Sequence, residues 1–422
     1  MIHAASPLPR PPRCNRLSQL RTGTNSRLAK SHVAYDRPFW LAYAANALTM
    51  VAVALLFRYA DFVTLLGGTE FHLGWIVGVG MIGSLLTRLT LGSWIDRYGT
   101  RPLWLYSTLL FIVTCFAHLA VASYMGVAIY LLRISYCCAL AGVYGASMTF
   151  ICTRGPNERM AELVGMLGTA NFFGWVLGTG LGDFLFSSVS VDRAQVEMMF
   201  VVAGLLGSLS LPFAWAATRA EQRPTSSTSH SLPTLLRHCH PGAVLVIGVA
   251  MGMGIGLPGT FLRPYAAELQ IPRIGLFFMA YAIAVIITRI VARRWIERFG
   301  PRPIIALGMA CLVVGLTLFL PVQSEWQLAL PAIGFGCAQA FLFPSVVAAG
   351  SVTFPARHRG LAIVLMLATW DVGQLIGAPM AGILLRYSPL AGLPPYPTMF
   401  LTMAGLLALV SVWYAVRAPA KG

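Results

Sequence analysis

The chain has 422 residues, of which 57% are hydrophobic and only 10% charged, and its formal net charge is +16. Soluble domains carry roughly a quarter charged residues, so a water-soluble globule is excluded. The apolar residues come in runs of about twenty, the length an α-helix needs to cross ~30 Å of hydrocarbon. They lack the period-two alternation of membrane barrel strands, and helices satisfy every backbone polar group inside lipid. The expected fold class is therefore all-α integral membrane.

In chain order, residues 1–37 are rich in Arg, Pro and Ser, with Asp36 the single acid. They are expected to form a basic cytosolic tail, with an organelle transit peptide or an over-extended start as alternatives. Apolar segments follow at about 39–60, 72–94, 103–124, 126–152, 161–186 and 195–217. A second set lies at about 242–262, 274–292, 303–322, 327–350, 361–385 and 398–416. The polar stretch 219–241 divides them six and six. The expectation is two six-helix bundles, 38–218 and 242–417, joined by a cytosolic linker at 219–241 and followed by a short tail, 418–422.

Orientation follows from the cations. With the N-terminus inside, cytoplasmic segments hold 22 of the 30 Lys and Arg, and the outer loops only Arg193, Arg273 and Arg386. That asymmetry is the positive-inside pattern. It predicts both termini in the cytoplasm and twelve spans in the cell (inner or plasma) membrane. The basic balance is thus a topology signal that needs no nucleic-acid partner.

The two sets repeat one another. Residues 88–102 read RLTLGSWIDRYGTRP and residues 289–303 read RIVARRWIERFGPRP, with seven of fifteen positions identical at a constant offset of 201. Equivalent loops on one side, with six spans per half, predict parallel repeats about an axis along the membrane normal.

The segment Gly92-Ser-Trp-Ile-Asp96-Arg97-Tyr-Gly99-Thr-Arg101 resembles the signature between spans 2 and 3 of the major facilitator superfamily of secondary transporters. The weaker copy carries Glu297, Arg298 and Arg302. Gly165, Gly174, Gly178 and Gly182 in span 5 are similar to the glycine-rich helix-packing motif of that family's antiporters, with Thr179 and Asp183 departing from it. Arg133 in span 4 is similar to its membrane-embedded arginine. The resemblance covers about residues 38–417 and implies twelve helices in two pseudo-symmetric halves that rock about a central site. It also implies that the signature loop latches the cytoplasmic side while the site faces out, although a solvated turn would carry the same arginines.

Among fourteen acids, Asp371 alone is expected near the midplane, about ten residues into span 11 and so ~15 Å deep. A membrane acid costs roughly 2.5–3.5 kcal/mol on insertion scales. Asp371 is therefore a candidate for proton coupling or substrate contact, with helix packing as the alternative. Arg133 needs an acceptor: an anionic substrate, a neighbouring acid, or the outer surface by snorkelling. Arg58 and Asp61 read as a local surface pair, and Arg263 sits at the matching end of span 7. Arg88 and Arg289 suit lipid-phosphate contact as well as function. Asn171, Trp175, Tyr136, Gln339 and Gln374 are cavity-lining candidates. Gly248, Gly252, Gly254, Gly256 and Gly259, with Pro258, make span 7 easy to break.

No Gly-x-x-x-x-Gly-Lys-Ser/Thr loop, Cys-x-x-Cys pair or nucleophile constellation is present. The chain is read as neither an enzyme nor a cofactor or metal protein. The expected function is movement of a small solute across the bilayer by a monomer, by proton-coupled efflux. Uniport or import without protons is the alternative, and a non-transporting receptor or assembly factor is the rival from another class.

Overall fold

The computed structural model describes residues 35–154, 159–186, 191–219, 241–354 and 359–417. The expected tails except residues 35–37, and all but the ends of the 219–241 linker, lie outside the described residues, as does the side chain of Glu297. The described residues form helices without strands.

Twelve helices correspond to the twelve apolar segments. In the first half they are α1 (Arg37–Leu65), α2 (Glu70–Tyr98), α3 (Thr100–Ala117), α4 (Val127–Arg154), α5 (Met160–Leu185) and α6 (Arg193–Ala217). The second half has α7 (Ala243–Glu268), α8 (Gly275–Phe299), α9 (Pro301–Thr317), α10 (Ala329–Val352), α11 (Arg359–Tyr387) and α12 (Pro395–Arg417). Ten are long and apolar enough to cross a membrane, and α9 is a shorter apolar helix.

The packing is duplicated. In the first half α1 packs on α5 and α6, α2 on α4, and α3 on α4 and α6. In the second half α7 packs on α11 and α12, α8 on α10, and α9 on α10 and α12. The halves meet along two related seams, α2 against α11 and α5 against α8. Each first helix is also interrupted at the same level, α1 by a 3-10 turn at Leu56–Arg58 and α7 at Gly256.

Small residues set how closely the helices approach, as membrane packing requires where no hydrophobic drive acts between them. A Cβ on Gly178 would run into the Val51 carbonyl and Ala54 of α1, and one on Gly174 into Met50. Gly373 and Gly252 bring α11 and α7 together in the same way. The repeated loops turn at Gly99 (φ 86°, ψ 172°) and Gly300 (φ 74°, ψ 177°), a region only glycine occupies without strain.

Both signature loops, the start of α1 and the end of α12 lie at one end of the bundle, the basic end. There Arg154 pairs with Asp36 at 3.0 Å and Arg302 donates to the Ala415 carbonyl at 2.6 Å. The opposite end, the far end, is where the halves are joined.

Candidate functional site

Where the halves join, the sequence expectation fails in an informative way. Arg58 and Asp61 are not a surface pair: they are 1% and 6% exposed. Arg58 donates to Asp61 (3.2 Å), to Asp183 of α5 (3.3 Å) and to the Pro272 carbonyl (2.6 Å). Arg263 of α7 reaches both Asp61 oxygens, at 2.9 and 3.0 Å. Asp183 also accepts from the backbone N–H groups of Ile274 (3.0 Å) and Gly275 (2.7 Å), and so caps α8 from the other half. Two arginines and two aspartates thus form a neutral, buried cluster that ties α1 and α5 to α7 and α8. Buried charges persist only when paired and hydrogen-bonded. Pairing drew these residues inward because each end of the pair could reach a partner on the opposite half, which spacing along one helix does not reveal. The departure of the glycine motif at Asp183 was the available signal.

Further in, α2 and α11 lie in close contact. Gly74 and Gly78 face Ala378 and Pro379. At the limit of this seam Arg88 Nε donates to Asp371 Oδ2 at 2.5 Å, and Ser84 Oγ donates to the same oxygen at 2.7 Å. Asp371 is buried, as its position in span 11 predicted, and its partner is Arg88. On the second seam, Trp175 of α5 meets Phe278 and Tyr281 of α8, and the Arg289 guanidinium lies 5.5 Å from the Phe172 ring centre. Beyond these two levels, toward the basic end, no hydrogen bond, ion pair or ring contact joins described residues of the two halves.

Between the seams is a cavity of about 300 Å³, walled by α1, α2, α4, α5, α7, α8 and α11. This is within the size range of small-molecule sites. Asp371, Arg133, Tyr136, Trp175 and Gln374 line it, together with Ser84, Arg88, Tyr59, Phe278, Tyr281 and Trp370. Asn171 and Gln339 are not part of this wall; Gln339 accepts a short hydrogen bond from the Tyr281 hydroxyl. Arg133 is held between two rings, its guanidinium carbon 4.6 Å from Tyr59 and 4.8 Å from Tyr136. It does not reach the surface by snorkelling: its Nε is enclosed and has no partner among the described residues.

The signature residues stand at the basic end. A Cβ on Gly92 would meet nothing within 4 Å. Arg97 lies over Tyr98 and Arg101 over Trp215, both within the first half, and Arg298 lies over Phe299 in the second. Asp96 forms no ion pair with a described residue. Of the four span-5 glycines, Gly174, Gly178 and Gly182 face α1, whereas Gly165 has open space beside it. His/Cys/Asp/Glu groups able to hold a metal are absent among the described residues.

Comparison with known proteins gives the same architecture. Residues 39–272 and 244–422 match the model of the Major Facilitator Superfamily. A staphylopine export protein of Staphylococcus aureus is 22% identical over 395 residues, covering 89% of this chain and 93% of that protein. A putative tartrate transporter of Agrobacterium vitis is 28% identical over 155 residues, 35% of this chain; the match spans about a third of that transporter's length (34%). A solved structure of a variant of the nucleoside transporter NupG superposes with a TM-score of 0.75 at 13% identity, covering 91% of this chain and 100% of that one.

Proposed function

The chain belongs to the Major Facilitator Superfamily and is a multi-pass membrane transporter of that fold, and from this premise we propose that it exports a small solute in exchange for protons, with Asp371 as the coupling carboxylate. The basic end faces the cytoplasm in this reading, because positive charge is retained there. The conformation is then inward-facing, shut at the far end by the Arg58–Asp61–Asp183–Arg263 cluster. The signature residues Gly92, Asp96, Arg97, Gly99, Arg101, Glu297, Arg298 and Arg302 would act in the other conformation, once the halves close at the basic end.

One observation carries the coupling: the Arg88–Asp371 ion pair sits where the seam between the halves ends and the cavity begins. A proton on Asp371 removes its charge and releases Arg88. This weakens the α2–α11 seam and alters the charge facing the solute in a single event. Conformation and protonation are thereby linked, as any coupled cycle requires. Export draws support from the staphylopine exporter, which aligns along nearly its whole length.

A second reading has its own support. Asp371 Oδ2 is held by both Arg88 and Ser84, as in a purely structural carboxylate, and the chain would then be a uniporter or importer without protons. Proteoliposomes separate the two. Under an imposed pH gradient, solute flux accelerates if protons couple, and Asp371→Asn abolishes that acceleration. Gradient-driven flux that survives in Asp371→Asn removes the residue from coupling.

A further inference from the structure

We infer that the solute is a small organic anion with a ring-bearing apolar body, and that Arg133 receives its carboxylate. This rests on the transport reading of the cavity and adds the chemical class of what enters it.

The charge of the cavity wall is unbalanced. Arg88 is neutralised by Asp371, but Arg133 has neither ion pair nor hydrogen bond among the described residues, only the faces of Tyr59 and Tyr136. Near the wall, Arg289 has only the ring of Phe172, and its Nε is also unpartnered. An arginine does not shed its proton to escape burial, and an uncompensated cation inside a membrane protein is costly. The missing acceptor has to come from the cavity itself.

Its position is specific. The Arg133 side chain lies against Gly80 of α2, two helical turns nearer the far end than Arg88, or ~12 Å along the helix. It therefore stands toward the far end of the cavity, whereas Arg88 and Asp371 stand toward the basic end. A solute entering from the basic end passes Asp371, which repels a second anion only while unpaired, and terminates on Arg133. Trp175, Tyr281 and Trp370 supply the flanking surface. The Tyr281 hydroxyl is already engaged by Gln339, so this residue offers its ring. Two tyrosine rings against the guanidinium restrict its freedom before the anion arrives, which lowers the ordering cost of binding.

The test uses purified full-length protein and matched probes: benzoate and phenylacetate against their amides and against benzylamine. Binding is read from the thermal unfolding midpoint and from tryptophan fluorescence. The expected result is that the carboxylates bind, that the amides and the amine bind at least about tenfold more weakly, and that Arg133→Gln weakens carboxylate binding roughly ten- to hundredfold. Arg133→Lys keeps part of the preference. The ranking of probes on the unaltered chain is informative even if Arg133→Gln fails to fold. Amides or amine binding as well as the carboxylates, no probe binding at millimolar concentration, or unimpaired carboxylate binding by folded Arg133→Gln overturns the anion site. If the carboxylates bind with this preference but no gradient drives flux in vesicles, transport fails and the anion site stands. If flux of a neutral or cationic solute survives in Arg133→Gln, the anion site fails and transport stands.

Discussion

Asp371 and Phe172 hold the same place in the two halves. Gly373 and Gly377 pack α11 on α7 as Gly174 and Gly178 pack α5 on α1, and each of these pairs is separated by 199 residues, as are Phe172 and Asp371. Each then stands against the arginine of the repeated segment in the opposite half, Asp371 against Arg88 and Phe172 against Arg289. Duplication therefore laid down two equivalent seams, of which one carries an ion pair and the other a cation on a ring. A proton can alter the first and not the second.

This asymmetry predicts a strong coupling energy on one seam. Arg88→Ala leaves the buried Asp371 carboxylate without its partner and should destabilise the protein by about 3–5 kcal/mol, and Asp371→Ala, which leaves the half-buried Arg88 at the cavity wall, should cost less. The double variant should recover part of that loss. A double-mutant cycle by denaturant unfolding in detergent reads the difference. Additive single effects would mean that the two side chains do not act as a pair.

The far-end cluster should govern access from that side. Asp61→Asn leaves Arg58 and Arg263 facing one another without the carboxylate they share. In an otherwise cysteine-free chain, Ala60→Cys, buried in the cavity wall, should react with a membrane-impermeant thiol reagent from the far side at least about tenfold faster once Asp61→Asn is added. An unchanged rate would show that something else keeps this end shut.

Glycine packing predicts a contrast within α5. Gly178→Val should lower stability by about 1–3 kcal/mol or more, because the helix cannot approach the Val51 carbonyl with a larger side chain in place. Gly165→Ala should be neutral, since nothing lies within 4 Å of its Cβ position. Unfolding midpoints of the two variants, measured side by side, settle this; equal losses would contradict the packing role of Gly178.

The two loop glycines should behave alike. Gly99→Ala and Gly300→Ala each force a backbone conformation that costs about 1–3 kcal/mol in a residue with a side chain. Both should lower the unfolding midpoint, and Gly92→Ala, in open space, should not. A tolerant Gly99 would mean that the loop relaxes into another turn.

The helix number and the duplication were legible because both are properties of short stretches. A twenty-residue apolar run crosses lipid whatever surrounds it, and the RLTLGSWIDRYGTRP segment matches its copy without reference to any fold. Candidate residues were legible by type: a midspan Asp371, a midspan Arg133, aromatic and amide groups in spans 4, 5 and 11. The partners were not. Arg88 read as a headgroup contact or a functional group alike, Arg58 and Asp61 as a surface pair, and Gln339 as open to the cavity.

What the sequence determined by itself is an all-helical membrane chain of two related halves, because hydrophobicity and backbone hydrogen bonding act along the chain. Only the tertiary structure decided which charges meet. These helices are apolar on nearly every side, so the sequence carries little record of which face turns to which neighbour. Asp371 finds Arg88, and Asp183 finds the start of α8, through contacts between segments of opposite halves that rotation of a single helix would break.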